Sequence, residues 1–483
     1  MSYTRKAVYG IGIIILFHLV AALLGYAFRF VLARKLGVEQ YGLFFSVLAF
    51  FFLFSTVKDL GIGNALVITL PKLQLKKKWE TIKNTFFITY GFKLAFAGIL
   101  AILFWLLAPL LAQYLFKTSE ATPLLRIMSM VFFLSVNEEM LGSTFLGFQK
   151  HTYYACIELL KKTLLLAFLF FFIHKGIHAP VLAYLSTALL LPVLLLPSLY
   201  KVWPKSAFRY SWKPLKPLLL LGLPFVLNTL TYSIVSYFDT LMLTSMRSLH
   251  EVGLYNAALP TAMAVLYFMY AFDSVLQPLS AELYHARKKD KLSLGLGLLH
   301  KYLFIGILPL IFVFILYAPS ILQLFYGTEY VAGTAPLQIL MIGVLFYAIA
   351  LTNLSVLSGI GQPKKVAKIM LFAAISNVVL NLIFIPSYGM IGAAFTTVLS
   401  YTLALFLSFV QLKKHLSLQV PWKNWMKTLL CGILFILVLS LSTSLWIQII
   451  LILLGLVLYI LLLFLFRTLN LEEIKMLWKE LAR

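Results

Sequence analysis

Residues 213–258 read KPLKPLLLLGLPFVLNTLTYSIVSYFDTLMLTSMRSLHEVGLYNAA. Basic residues lead into a long apolar segment carrying Gly222, Pro224 and a lone Asp239, and a short loop then gives way to Gly253-Leu254-Tyr255. Near the N-terminus the same order recurs: Arg29 lies inside the end of an apolar segment, a short loop follows, and Gly42-Leu43-Phe44 opens the next segment. Gly42 and Gly253 stand 211 positions apart. The chain therefore reads as two copies of one plan, and the second copy begins in this stretch.

A hydrophobic content of 62% with only 12% charged residues and a mean hydropathy of +0.97 lies outside the globular range and implies solvation by lipid. A bilayer-spanning helix needs roughly 20 mostly apolar residues. On that rule spans are expected near 8–33, 41–68, 84–112, 122–148, 156–173, 179–200, 215–243, 253–279, 298–318, 336–358, 366–386, 389–411, 426–443 and 446–466. The expected fold class is thus an all-α integral membrane protein with fourteen transmembrane helices. Arg5 and Lys6 lead into an apolar run too long for a signal-peptide core, so the first segment is expected to be retained.

The formal charge of +24 raises the question of nucleic acid, and the placement of the basic residues answers it. With the N-terminus in the cytoplasm, 31 of the 40 lysines and arginines fall on the cytoplasmic side, Lys150, Lys161 and Lys162 among them, and seven on the other. Lys58 and Lys93 remain inside spans. This is the positive-inside pattern of a multi-pass protein with both termini cytoplasmic, and nucleic acid is not an expected partner. Cys156 and Cys431 sit in or beside spans as small apolar filler.

The repeat extends beyond one loop. Leu146-Gly147-Phe148-Gln149-Lys150 and Ser358-Gly359-Ile360-Gly361-Gln362-Pro363-Lys364-Lys365 both close spans at basic cytoplasmic loops, with offsets of 212 and 213 between their glycines and glutamines. Two six-span units of one orientation follow, related by an axis along the membrane normal, as in transporters with parallel repeats. The domains are read as 1–205, 206–415, two appended spans in 416–466, and 467–483. In the last segment Leu471, Ile474, Leu477, Trp478 and Leu481 recur at helical spacing after Asn470, which predicts an amphipathic helix on the cytoplasmic membrane surface.

The stretches Arg34-Lys35-Leu36-Gly37-Val38-Glu39-Gln40-Tyr41-Gly42, Asp59-Leu60-Gly61-Ile62-Gly63-Asn64-Ala65-Leu66, Gly222-Leu223-Pro224 with Asp239, Val252-Gly253-Leu254-Tyr255 and Leu357-Ser358-Gly359-Ile360-Gly361-Gln362-Pro363 cover nearly the whole chain. In this order the chain resembles the multidrug/oligosaccharidyl-lipid/polysaccharide (MOP) exporter superfamily, and within it the polysaccharide transporters of the Wzx type. The resemblance implies two six-helix lobes around a central cavity that works by alternating access. It further implies a flippase that moves undecaprenyl-diphosphate-linked oligosaccharide, an O-antigen, capsule or exopolysaccharide repeat unit, across the bacterial cytoplasmic membrane. Its partners would be the lipid-linked oligosaccharide, membrane lipids, and a polysaccharide polymerase or other assembly protein.

Charges inside a bilayer are costly, so an ionisable residue within a span is a functional candidate by default. A diphosphate cargo needs cations, which makes Arg29, Lys58 and Lys93 substrate-binding candidates. Arg126 and Arg247, near the outer ends of spans 4 and 7, either extend that basic path or snorkel to headgroups. Lys58 and Asp59 are adjacent and point about 100° apart on a helix, so one stripe cannot hold both. For Arg29 and Lys93 a buried structural ion pair is the competing role. Asp59, Glu138, Glu139, Asp239 and Asp273 are candidates for coupling H⁺ or Na⁺, with salt bridges between helices as the alternative. No other cofactor and no resident metal site is expected. Gly222 and Pro224 are hinge candidates, set against ordinary kinks.

A membrane enzyme is the rival from another class. The chain has no HExxH, DxD or nucleophile-elbow motif, and its longest external loop runs only from about Pro319 to Ala335. Among transporters, a cation-coupled multidrug antiporter and a peptidoglycan lipid-precursor flippase of the same superfamily are the alternatives. Acidic and aromatic linings suit cationic drugs, whereas Arg29, Lys58 and Lys93 suit an anionic cargo.

Overall fold

The computed structural model describes residues 3–203, 207, 210–441 and 445–470, and the side chains among them except those of 3–15, 228, 268–274 and 445–446. The amphipathic pattern after Asn470, the boundary at 205, the turn at 442–444 and the side chain of Asp273 lie outside these residues. Among the described residues fifteen α-helices follow in chain order: α1 Tyr3–Asp59, α2 Ile62–Leu75, α3 Trp79–Tyr114, α4 Ala121–Gly147, α5 His151–Phe172, α6 His178–Val202, α7 Leu215–Met246, α8 Leu249–Met263, α9 Tyr267–His285, α10 Lys289–Leu316, α11 Ala318–Phe325, α12 Thr334–Gly359, α13 Pro363–Lys413, α14 Trp422–Leu439 and α15 Leu445–Leu465. There is no strand among the described residues.

Each of the fourteen expected spans falls on a helix, a bent half-helix or a broken pair. Among the described residues, eight helices are long and apolar enough to cross a bilayer unaided. Two of these hold two spans each, because α1 turns at Gly37 (φ 71°) and α13 at Gly389 (φ 54°). The two pieces of α7 qualify when taken together. Charges lower the hydropathy of α4 and α5, through Arg126, Glu138 and Glu139 on one and Glu158, Lys161 and Lys162 on the other. The span expected at 253–279 is α8 and α9 joined by a 3₁₀ turn, Ala264–Leu266.

Two details depart from the expected layout. The stretch 319–335, expected as a loop, folds into α11 and a 3₁₀ helix, Thr328–Gly333. The span 41–68 is broken at Leu60 (φ 48°) and Gly61 (φ 70°), consecutive left-handed residues between α1 and α2. Irregular backbone inside a bilayer survives where protein buries it or where it lines a cavity, and Gly222 of α7 covers this break. A side chain on Gly61 would begin 2.0 Å from the Gly222 carbonyl oxygen.

Four tight turns that join one described helix to the next share one geometry. Lys77, Gln149, Arg287 and Gly361 are left-handed (φ 53°, 56°, 59° and 82°). The residue after each donates its N–H back to the preceding helix: Lys78 to Leu73, Lys150 to Phe145, Lys288 to Leu283 and Gln362 to Leu357, at 2.8–3.0 Å. These are Schellman closures, which satisfy the terminal carbonyls of one helix and aim the chain into the next.

The chain divides into two compact units, Met1–Asn256 and Ala257–Arg483. In the first, α1 runs along α7 through small and polar contacts: the hydroxyls of Ser46 and Thr244 share a hydrogen bond of 2.7 Å, as do those of Thr56 and Ser233. In the second, the bent α13 wraps α12, with Tyr347 stacked on Tyr401 at 4.2 Å. There α14 and α15 dock on α10 around Cys431, Phe435 and Tyr459. The Tyr317 hydroxyl donates to the Leu439 carbonyl at 2.8 Å and that of Tyr459 to Ile305 at 2.9 Å.

Candidate functional site

Apart from Asp239, the charged residues inside the first unit fall into two groups on either side of α4. Glu138 and Glu139 are neighbours, so the helix sends them in different directions, and each organises one group.

Glu139 faces α1 and α3. Its Oε1 lies 2.7 Å from Lys58 Nζ and its Oε2 3.1 Å from Lys93 Nζ. Lys93 also pairs with Asp59 Oδ1 at 2.5 Å, and Lys58 donates to Ser135 Oγ at 2.5 Å and to the Phe132 carbonyl at 3.1 Å. Two lysines and two carboxylates thus form a charge-balanced chain of three ion pairs, which the peptide link between Lys58 and Asp59 closes into a ring. Asp59 is the last residue of α1, and beyond the break its carboxylate accepts the Gly63 N–H at 3.2 Å, tying the ring to the start of α2. Both lysine side chains have 0% exposure, while Asp59 and Glu139 keep 25% and 30%. The accessible part of the ring is therefore its carboxylate side. Lysine buried at that depth is tolerable only when paired.

Glu138 faces α5 and pairs with Lys161 at 2.7 Å. Lys162, the next residue, is half-buried, and its stem packs at 3.8 Å over the place where Gly25 lacks a side chain. It makes no ion pair or hydrogen bond among the described residues. Arg29, Glu158, Glu138 and Lys161 are its charged neighbours. Arg29 lies with its guanidinium 4.2 Å from the centroid of the Phe45 ring, and it donates to the Asn256 carbonyl at 3.4 Å. Tyr184 of α6 has Arg29, Lys161, Glu138 and Glu158 among its charged neighbours, and Tyr237 of α7 has Arg29 and Lys161; Tyr184 packs edge-on against Phe28 at 6.0 Å. Lys161 and Lys162 are the eleventh and twelfth residues of α5, about 15 Å along the helix. They are therefore not at the cytoplasmic end of the span, where charge counting had put them. Glu158 between apolar neighbours marked the spot in the sequence, since a loop would not have resumed helical spacing after it.

The other candidates lie apart. Arg126 stands over the Trp105 ring at 4.6 Å near the start of α4, and Arg247 ends α7 in a pair with Glu251 at 2.9 Å. Asp239, 2% exposed, accepts a hydrogen bond from the Tyr255 hydroxyl at 2.8 Å. Gly222 is the covering residue over the Gly61 break, and Pro224 follows it on an exposed face of α7. Among the described residues no group of three His, Cys, Asp or Glu side chains is placed to hold a metal ion.

The many-helix membrane fold and the comparisons with known proteins together identify a transporter of the MOP superfamily. The model of the family described as "Polysaccharide biosynthesis protein" matches residues 7–284, and that of the MatE family matches 224–383. The first match covers more than half of the chain, which therefore belongs to the polysaccharide biosynthesis protein family of the MOP superfamily. An uncharacterised membrane protein of Methanocaldococcus jannaschii is 27% identical over 451 residues, covering 90% of this chain and 89% of that one. A Haloferax volcanii protein described as "Probable low-salt glycan biosynthesis flippase Agl15" is 22% identical over 206 residues, 41% of this chain and 43% of its own. Among solved structures, a lipid II flippase MurJ in an inward closed conformation superposes with a TM-score of 0.78 at 18% identity, over 97% of this chain and 100% of the other. That likeness is one of fold.

Proposed function

We propose that the chain carries a polyprenyl-diphosphate-linked oligosaccharide, with undecaprenyl as the carrier in a bacterium, from the cytoplasmic to the external leaflet of the cytoplasmic membrane. Arg29 and Lys162 hold the diphosphate, Tyr184 and Tyr237 contact the first sugars, and the prenyl tail stays in the lipid. Residues 1–205 and 206–415 are the two alternating halves and 416–466 the accessory spans, with both termini cytoplasmic. An H⁺ or Na⁺ gradient resets the cycle through a carboxylate among Asp59, Glu138, Glu139, Asp239 and Asp273, and a polymerase consumes the delivered repeat unit.

The observation that carries this reading is Lys162. It is a half-buried cation beside Arg29, midway along a membrane helix, with no carboxylate bonded to it. Such a cation is expensive in lipid and is repaid when an anionic headgroup arrives. Lys58 and Lys93, already balanced by Asp59 and Glu139, have no charge to spare for cargo. A flippase activity is in keeping with the name of the Haloferax relative.

The test is binding of a soluble isoprenyl-diphosphate glycan analogue to the protein in nanodiscs, with a cationic dye as competitor. Arg29→Ala and Lys162→Ala should each weaken the analogue about tenfold or more, roughly one charge-assisted hydrogen bond; Lys162→Arg should retain it. Binding of the dye alone, or an unchanged Kd in both alanine variants, would favour a cation antiporter instead.

A further inference from the structure

The ring around Glu139 poses a separate question. The carboxylates of Asp59 and Glu139 come from two helices, and both keep accessible surface. Asp59 is further fixed by the Gly63 N–H, so its oxygens cannot swing away without disturbing the break between α1 and α2. Between them sits the Lys93 ammonium, at 2.5 Å and 3.1 Å from one oxygen of each, delivered by a side chain with no exposure of its own. Lys58 takes the other Glu139 oxygen and is held separately by Ser135 and the Phe132 carbonyl.

An ammonium group has the charge of an alkali-metal cation and nearly the size of K⁺, and it favours the same oxygen ligands. We propose that Lys93 is a tethered counter-ion, whose ammonium stands where an exchangeable monovalent cation would otherwise sit between Asp59 and Glu139. The native ring consequently takes up no Na⁺ or K⁺. Loss of the lysine side chain leaves two carboxylates facing one cation, Lys58, and opens a vacant alkali-metal site at the break. Water completes the coordination through the exposed faces of both carboxylates. Any coupling through this ring is then by protons, because a proton can neutralise a carboxylate without displacing the tether. The inference does not depend on the cargo.

The experiment is thermal unfolding of purified wild type and Lys93→Ala in NaCl, KCl and choline chloride at equal ionic strength. The variant should unfold about 3 °C or more higher in Na⁺ or K⁺ than in choline, saturably. Wild type should be indifferent to the salt, and Lys93→Ala combined with Asp59→Asn should lose the response. Lys93→Gln, which keeps most of the volume, should respond like Lys93→Ala. A wild-type response that Asp59→Asn removes would overturn the proposal, as would a Lys93→Ala or Lys93→Gln protein that does not distinguish the cations. Aggregation of both variants in every salt counts against it too, since the alkali cation would then have failed to replace the tether. Failure of the glycan analogue to bind would leave these outcomes untouched.

Discussion

Gly42 and Gly253 make reciprocal contacts. A methyl group on Gly42 would lie 2.0 Å from the Leu249 carbonyl oxygen, and one on Gly253 would lie 2.1 Å from that of Val38. Val38 and Leu249 are 211 positions apart, as are the two glycines, so each copy of the repeat presents the same glycine to the same backbone position of the other.

Substitution there has no soft neighbour to push aside. Gly42→Ala and Gly253→Ala should each cost about 3 kcal/mol or more, at or above the upper range for overpacking, because the obstacle is backbone. Gly91→Ala and Gly295→Ala, which meet nothing within 4 Å, should instead stabilise their helices by about 0.5–1 kcal/mol. Thermal unfolding of the four variants in detergent, read as loss of the monodisperse species, checks the contrast.

The charge-balanced ring predicts non-additivity. Lys58→Met leaves Asp59 and Glu139 sharing Lys93, and Glu139→Met leaves Lys58 buried without a carboxylate. Each should destabilise by about 3–5 kcal/mol. Removing both leaves the Lys93–Asp59 pair intact, so the double variant should be more stable than the sum of the singles by about 1–3 kcal/mol. A denaturation cycle over the three variants measures the coupling, and simple additivity would mean that the two groups do not interact.

At the left-handed turn positions, glycine is the residue without strain. Lys77→Gly and Arg287→Gly should be neutral or stabilising by up to about 1 kcal/mol, whereas Gly361→Val, at φ 82°, should lose about 1–2 kcal/mol. The comparison is again of unfolding temperatures, with Lys76→Gly, where the backbone is right-handed (φ −83°), as the variant expected to lose stability.

Apolar length was enough to place fourteen spans, because lipid leaves a chain few choices. The break at Leu60–Gly61 escaped that reading, since Ile62-Gly63-Asn64-Ala65-Leu66 is apolar enough to continue a span and the cover comes from Gly222, more than 150 residues away. The joint membership of Lys58 and Asp59 in one ring was hidden for a related reason. On one helix they diverge, and only Lys93 of α3 and Glu139 of α4 close the circuit. Lys162 was misplaced because charge counting assigns every lysine near a span end to water, while burial along the Gly25 face needs the packing of α1 against α5 to be known.

The four Schellman turns place a lysine, a glutamine, an arginine and a glycine at equivalent points of the backbone. Lys77 and Arg287 are 210 positions apart and Gln149 and Gly361 are 212 apart, so each pair occupies matching corners of the two copies while agreeing in no side chain. Duplication has been remembered here in dihedral angles rather than in letters. Lineages in which residue identity has eroded past detection would still carry this record at the corners, where loop length and handedness leave little room for drift.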